Sequence, residues 1–189
     1  EVIDSGNLVP DVAAPHPDLP AHLHAPAEMI GWTKAIARAT EAALPRGLPI
    51  FLGGDHGLAL GSVLGAANHA AARQRPLFLL WLDAHTDYHT PQSSTSGNLH
   101  GAPLGYVTGR TGFHGFPEVA HPVVHENICL LGLRSVDPEE RAALQASTIH
   151  YHDMRRIDET GIAQPLSAFL AAVQAANGML HVSLDVDFL

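Results

Sequence analysis

The sequence predicts an α/β protein of three α-β-α layers, with helices on both faces of a mostly parallel sheet. Short runs at 77–82 and 128–133 are apolar, as expected for strands that are buried on both faces. Helical and strand patterns alternate along the chain, which favours parallel strands joined by right-handed crossovers. The composition, 46% hydrophobic and 15% charged over 189 residues, excludes a disordered chain and provides the core of a single domain.

The first half of the chain predicts a surface segment followed by alternating helices and strands. Residues 1–26 hold five prolines and show little hydrophobic periodicity, which indicates an extended surface segment. Apolar residues recur every three or four positions over 27–44, which predicts a helix that ends at Pro45 and Gly47. The elements predicted next are an apolar strand over 48–52, an alanine-rich helix over 58–73, the strand over 77–82 and a polar loop over 86–101.

The second half continues the alternation and ends on a strand. Asp137 before Pro138 is typical of a capped helix start. The elements predicted here are strands over 128–133, 148–151 and 179–187, and helices over 138–146 and 162–176. Because ligands of open parallel sheets bind at the carboxyl ends of the strands, the residues that follow each strand are the candidate functional residues.

Side chains that suit a metal ion follow three of the predicted strands. They are His56, then Asp83, His85 and Asp87, and finally Asp185 and Asp187. Alternate spacing places the members of each group on one face of an extended chain. Each group alone has a plain structural explanation, as a turn histidine, a solvated acidic turn or a half-exposed strand. Together, carboxylates inside apolar runs resist burial unless a cation compensates them.

The donor set predicts which metal is bound. Two imidazoles and four carboxylates are too many ligands for one tetrahedral zinc, and the set contains no thiolate. Hard oxygen donors with imidazole suit Mn²⁺. Two divalent ions would also balance the four negative charges, so the sequence predicts two Mn²⁺ per chain.

At these positions the sequence resembles the arginase family of ureohydrolases, which includes agmatinase and formiminoglutamase. The resemblance rests on Gly-Gly-Asp-His at 53–56, Asp-Ala-His-Thr-Asp at 83–87 and Ser-Leu-Asp-Val-Asp at 183–187. It implies a parallel sheet between helices and two Mn²⁺ ions that share a bridging hydroxide. The ligands it implies for one ion are His56, Asp83, Asp87 and Asp185. Those it implies for the other are Asp83, His85, Asp185 and Asp187.

The resemblance also implies substrate-binding and proton-transfer roles. The substrate-binding residues that it implies are Ser94, Ser96 and Asn98 for a carboxylate, Asp137 for an ammonium group and Glu140 as an outer contact. His100 and Asp87 are the implied proton relays. His89 stands where the family has a carboxylate-binding asparagine, although it can still donate a hydrogen bond. Asp137 also has a simple alternative as a helix cap, and the two roles can coexist.

The activity implied by the resemblance is hydrolysis of the guanidinium group of L-arginine to L-ornithine and urea. One alternative is a sister ureohydrolase that acts on agmatine, guanidinobutyrate or a formimino amino acid. A second is a deacetylase-like amidohydrolase with a single zinc. A third, from a different class, is a catalytically inactive metal-binding homologue. No glutamate in this sequence matches the position that binds the guanidinium group in the family.

The chain ends and the overall composition complete the expectations. The chain begins at Glu1 and stops at Leu189 directly after the last motif, so we expect the single domain over 1–189 to be incomplete at both ends. A net charge of −9 without a basic run excludes nucleic acid as a partner, and no apolar stretch is long enough to span a membrane. The single cysteine, Cys129, favours a reducing compartment. We therefore expect a cytoplasmic homo-oligomer that binds a small-molecule substrate.

Overall fold

A computed structural model describes residues 2–189, which form a parallel sheet of four strands in the order β3-β2-β1-β4. The strands are β1 (Leu77–Leu82), β2 (Ile128–Leu133), β3 (His150–Asp153) and β4 (Met179–Leu184). The helices are α1 (Pro26–Ala43), α2 (Leu58–Ala72), α3 (Pro103–Val107), α4 (Pro138–Gln145), α5 (Met154–Thr160) and α6 (Ala163–Ala175). The predicted parallel α/β class is confirmed.

Different helices cover the two faces of the sheet. Leu79 and Trp81 of β1 are buried in a large core with residues of α1 and α2, such as Leu60. The intervening residues of β1, which face the other way, join a smaller core around Phe169 of α6, with α5 packed beside it. This alternation along one strand is the reason why the fold has three layers, as predicted.

Helices α1 and α2 approach each other closely at two glycines of α2. A Cβ at Gly61 would lie 2.6 Å from Cβ of Ile36, and a Cβ at Gly65 would lie 2.7 Å from Cβ of Thr40. Distances this short are not tolerated between carbon atoms. Any residue other than glycine at these two positions would therefore require one of the helices to shift. The position of α2 is therefore determined by direct contact of its backbone with α1.

The predicted strand over 48–52 is wrong. These residues are irregular in structure, and the side chains of Leu48, Ile50 and Leu52 are 85%, 79% and 95% exposed. A short apolar run predicts a buried strand only where a neighbouring strand pairs with it. In the part of the chain that the structure describes, these residues have no such neighbour.

The last predicted strand, over 179–187, is too long. Strand β4 ends at Leu184, and a 3₁₀ turn over Val186–Phe188 follows it. Asp185 and Asp187 are therefore not presented by a straight strand. Within residues 2–189, β4 pairs only with β1 and forms an edge of the sheet, with exposed Leu180 and Val182.

Three smaller differences concern local structure. Helices α3 and α5 were not predicted, because α3 begins inside a proline- and glycine-containing stretch and α5 is mostly polar. The short strand lies at His150–Asp153 rather than over 148–151. The N-terminal segment is not entirely at the surface, since Leu19 and Leu23 are buried in the core. None of the helices formed by residues 2–189 is both long and apolar enough to cross a bilayer.

Candidate metal centre

Two neighbouring strands and one turn deliver the candidate ligands. β1 and β4 end in register, with Leu82 opposite Leu184, so Asp83 and Asp185 emerge side by side. The backbone N–H of Asp185 donates to the carbonyl oxygen of Leu82 at 2.9 Å, which keeps the two chains together beyond the last pair. His56 comes from the turn before α2 and not from a strand end as predicted.

The buried half of the centre is built around His56. Its Nδ1 lies 2.6 Å from Oδ2 of Asp83, 2.9 Å from Oδ2 of Asp87 and 3.6 Å from Oδ2 of Asp185. His56, Asp83 and Asp87 are all buried, and Asp185 is partly exposed. The structure thus brings together the four residues whose grouping the family resemblance implies for one ion.

Side chains beyond the ligands hold this half in place. Nε2 of His56 hydrogen-bonds the Ser183 hydroxyl at 2.7 Å, and its ring stacks on Trp81 at 4.1 Å between centroids. Trp81 also donates its Nε1–H to Oδ2 of Asp83 at 3.2 Å. The sequence reasoning assigned no role to Ser183 or Trp81. The available signal was their position, two residues before Asp185 and Asp83 on the same faces of β4 and β1.

The exposed half of the centre is built around His85. Its Nδ1 lies 3.1 Å from Oδ2 of Asp187 and 3.4 Å from Oδ1 of Asp83. Oδ1 of Asp187 accepts the backbone N–H of Ala84 at 3.1 Å. The side chains of His85 and Asp187 are 49% and 41% exposed. Asp83 belongs to both halves, because its two oxygens face different histidines.

Proton binding in the buried half reflects the crowding of charges there. Burial alone would lower the pKa of His56, but the carboxylates of Asp83 and Asp87 raise it to about 9. Burial raises the pKa of Asp87 to about 7, against the opposing effect of His56. Burial also works to raise the pKa of Asp83, but hydrogen bonds from His56 and the His85 backbone outweigh it and lower that pKa. The carboxylates of this half therefore favour a positive charge beside them, which a proton or a metal cation can supply.

The residues present fit a pair of divalent cations. Oδ2 of Asp87 is buried and has no hydrogen-bond partner among the described residues; Nδ1 of His56 lies 2.9 Å from it but is hydrogen-bonded to Asp83. Asp87 also has a backbone φ of 49°, an uncommon left-handed conformation that clusters at functional sites. An unpaired buried carboxylate oxygen beside imidazole nitrogens is the donor chemistry that Mn²⁺ accepts.

The predicted proton relay His100 contacts the residue that precedes His56 in the chain. It belongs to a 3₁₀ turn over Leu99–Gly101, and its Nδ1 lies 3.6 Å from Oδ2 of Asp55. Asp55 directly precedes His56 in the chain. The sequence reasoning missed this pairing, because the two residues come from segments that only the fold brings together.

Asp137 and Glu140, which are predicted for the ammonium side, both contact His89, which stands at a predicted carboxylate-binding position. His89 lies between Oγ of Ser93, at 2.9 Å from its Nδ1, and Oδ2 of Asp137, at 3.1 Å from its Nε2. Glu140 is buried and accepts the backbone N–H groups of Tyr88 at 2.9 Å and Asp137 at 3.3 Å. Glu140 therefore ties the loop after Asp87 to the start of α4, and Asp137 is the residue before that helix, as the capping alternative predicted.

The three predicted carboxylate contacts lie in one loop. Ser94 is buried, and its carbonyl oxygen accepts from Nε2 of His22 at 2.8 Å. Oγ of Ser96 accepts the backbone N–H of Asn98 at 3.2 Å, and Asn98 starts the turn that carries His100. The substrate contacts of these residues remain predictions.

Comparisons with known proteins identify the family of the chain. The family model described as "Arginase family" matches residues 2–189. The arginase of Brucella melitensis is 50% identical over an alignment that covers 100% of this chain and 62% of that protein. The crystal structure of arginase from Bacillus subtilis has a TM-score of 0.77 at 31% identity, covering 88% of this chain and 58% of that one.

A formimidoylglutamase from Bacillus subtilis shares the fold alone, with a TM-score of 0.67 at 20% identity over 87% of this chain and 48% of its own. The chain thus spans about three-fifths of the length of the curated relatives that match it in full. The family model and the relatives at half identity lead to one conclusion: the chain belongs to the arginase family.

Proposed function

We propose that this chain carries the catalytic centre of a Mn²⁺-dependent hydrolase that converts L-arginine to L-ornithine and urea. The observation that supports the proposal best is the pair of ligand groups, His56 with Asp83 and Asp185, and His85 with Asp83 and Asp187. Sharing Asp83 between the groups is the arrangement expected of a bridging ligand for two ions.

The chemistry needs a strong nucleophile, because resonance makes the guanidinium carbon a poor electrophile. When bound, the two ions would lower the pKa of a water molecule held at the centre and offset the charge of the four carboxylates. Asp83 and Asp185 would orient both ions from the ends of β1 and β4. His100, paired with Asp55 at the rim, would pass a proton to the leaving amine, and Asp87 is the alternative relay.

The substrate would be oriented by the loop and by the start of α4. Asp137 is 60% exposed in its side chain, so its carboxylate is available to an ammonium group. Ser94, Ser96 and Asn98 would contact the carboxylate of an α-amino acid. His89 would affect the preference for an α-amino acid, because its Nε2 already contacts Asp137, the residue proposed to bind the ammonium group.

The activity assay compares four substrates. We expect protein reconstituted with Mn²⁺ to bind two Mn²⁺ per chain and to release urea from L-arginine with a higher kcat/KM than from agmatine or guanidinobutyrate. Zinc as the sole catalytic metal would support the amidohydrolase alternative. Turnover of N-formimino-L-glutamate above all others would support the formiminoglutamase alternative, and metal binding without any turnover would support an inactive homologue.

The assay needs protein of two lengths, because the chain spans 62% of its Brucella relatives. We propose that the guanidinium-binding carboxylate lies outside the 189 residues. We therefore expect urea release only from the longer reading frame, while the 189-residue chain still binds metal. Equal turnover by both would show that guanidinium binding does not need an additional segment.

His89→Asn tests the selectivity proposal directly. Asparagine can donate to the substrate carboxylate, so we expect the ratio of kcat/KM for arginine over agmatine to be preserved or increased. A collapse of arginine turnover at unchanged Mn²⁺ content would show that the contacts of His89 with Ser93 and Asp137 are themselves required.

We also propose a cytoplasmic location and a homo-oligomeric state. The lone cysteine, Cys129, is buried and cannot form an intrachain disulfide, which suits a reducing compartment. Cell fractionation and the sedimentation of the purified protein test the two statements separately.

A further inference from the structure

A second cluster of metal-ligating side chains lies outside the centre described above and shares no residue with it. It consists of His16 and Asp18, which are close in sequence, and of His114, which follows them almost a hundred positions later. One ligand atom from each residue lies within 4.8 Å of the other two. The rings of His16 and His114 are stacked at 5.6 Å between centroids, and Nδ1 of His16 is 3.7 Å from Oδ2 of Asp18.

The segment that carries His16 and Asp18 is held rigidly. His16 directly precedes Pro17, which disfavours the helical conformation for the His16 backbone and favours an extended one. The carbonyl oxygen of His16 accepts the N–H of Leu19 at 3.0 Å, which closes a tight turn, and the Leu19 side chain is anchored in the core. The two ligands therefore project from a preformed turn and not from a free chain end.

The segment that carries His114 is anchored as well. Phe113 and Phe116 pack on the ring of Tyr106 at 5.1 Å and 5.6 Å, and the N–H of Phe116 donates to the carbonyl oxygen of Phe113 at 3.2 Å. Gly115 has a φ of 80°, and a Cβ there would lie 3.0 Å from Cβ of His16. Glycine favours this close approach, because a side chain at position 115 would be strained by the positive φ and would crowd His16.

We propose that His16, Asp18 and His114 form a separate binding site for a divalent transition-metal ion that accepts imidazole, with water completing its coordination. Ligands of tetrahedral Zn²⁺ are roughly 3.3–3.5 Å apart, given metal–ligand bonds of about 2.1 Å. The three ligand atoms lie within 4.8 Å of one another on exposed side chains, so binding an ion would require these side chains to rotate and bring the atoms closer together. One carboxylate and two imidazoles distinguish this site from the oxygen-rich centre and favour a Zn²⁺-like ion over Mn²⁺.

The consequence of binding would be structural. The N-terminal segment connects to the rest of the protein through contacts such as the Arg38–Asp11 ion pair, which is exposed, and the buried Leu19. An ion held between His16 and His114 would connect this segment to the loop after α3. The site thus acts as a tether and takes no part in the proposed hydrolysis.

The test compares Zn²⁺ content among variants that share an unchanged metal centre. We expect His114→Gln and His16→Gln each to bind one Zn²⁺ per chain fewer than the unaltered protein after dialysis against Zn²⁺ and excess Mn²⁺. His121→Gln, which replaces an exposed histidine of the same loop outside the cluster, is the matched control and should bind as much as the unaltered protein. Any Zn²⁺ that enters the Mn²⁺ centre is common to all four proteins and cancels in the comparison.

Hydrogen exchange provides the second readout. We expect added Zn²⁺ to slow exchange of the Leu19 and Phe116 amides at least about tenfold in the unaltered protein and in His121→Gln, but not in His114→Gln. Equal Zn²⁺ content in all four proteins, or exchange that Zn²⁺ does not change, would overturn the proposal. Mn²⁺ content that stays equal among the variants shows that each of them is folded.

Discussion

The two halves of the metal centre differ in how much the protein itself holds them. In the half around His56, two ligands are supported by further contacts: His56 by the Ser183 hydroxyl and by stacking on Trp81, and Asp83 by the Trp81 N–H. Around His85, the imidazole and Asp187 are both about half exposed. In the proposed centre, the buried half would therefore contribute to both the stability of the fold and metal binding, whereas the exposed half would contribute mainly to metal binding.

Asp83→Asn should have the largest effect, because the two oxygens of Asp83 face both His56 and His85. We expect Mn²⁺ to fall from two ions per chain to fewer than one, as measured by elemental analysis after reconstitution. Asp187→Asn, confined to the exposed half, is the matched control and should retain about one ion. Full occupancy in Asp83→Asn would contradict the bridging role. We also expect Asp83→Asn to impair activity more than His56→Asn does.

The pH dependence of the free energy of unfolding should distinguish the two halves in metal-free protein. His56 has a pKa of about 9 in the folded chain, above its usual 6.5. Its stabilisation is therefore complete below about pH 6.5 and lost as pH rises through 9, a change on the order of 1–3 kcal/mol. The pKa of Asp87 is raised to about 7, so its ionisation also lowers the stability of the folded chain as pH rises, but over a lower pH range than that of His56.

This pH dependence is measured by urea unfolding of chelator-treated protein at pH 6.5 and 9. In His56→Asn, the loss of stability between these two pH values should be largely absent, whereas His85→Asn should keep it. Saturating Mn²⁺ should remove most of the dependence, because the ions replace the bound proton. A flat profile in the metal-free unaltered protein would contradict the charge arrangement of the buried half.

Ser183→Ala examines the support behind His56 without touching a ligand. The change leaves Nε2 of His56 buried without its partner, so we expect a loss of about 1–2 kcal/mol in the free energy of unfolding of metal-free protein. Mn²⁺ stoichiometry should stay at two. A variant as stable as the unaltered chain would mean that Ser183 does not hold the imidazole in place.

His85→Ala should have the smallest effect on stability, within about 0.5 kcal/mol, because an exposed side chain away from the core contributes little. Its Mn²⁺ content should nevertheless fall by about one ion. Unfolding curves and elemental analysis of the same preparation check both statements. A large loss of stability here would show that the two halves are not as different as their burial indicates.

Much of the fold and the ligand set could be predicted from local sequence. The apolar runs of β1 and β2 and the alternation of Asp83, His85 and Asp87 are short-range signals. The failure at 48–52 has a physical cause, since an apolar run does not reveal whether a neighbouring strand is present to pair with it. Ser183, Trp81 and Asp55 were missed because their roles depend on hydrogen bonds and stacking between segments distant in sequence.

The close contact of α1 with α2 makes the centre sensitive to changes far from any ligand. The carbonyl oxygen of His56 accepts the N–H of Ala59, so the ligand is part of the first turn of the helix that carries Gly61. A methyl group at Gly61 would clash with Ile36 and displace helix α2 together with His56, which precedes it. We therefore expect the distance between α1 and α2 to influence metal affinity through the position of His56. The Mn²⁺ affinity of Gly61→Ala, compared with that of the unaltered protein, measures this effect.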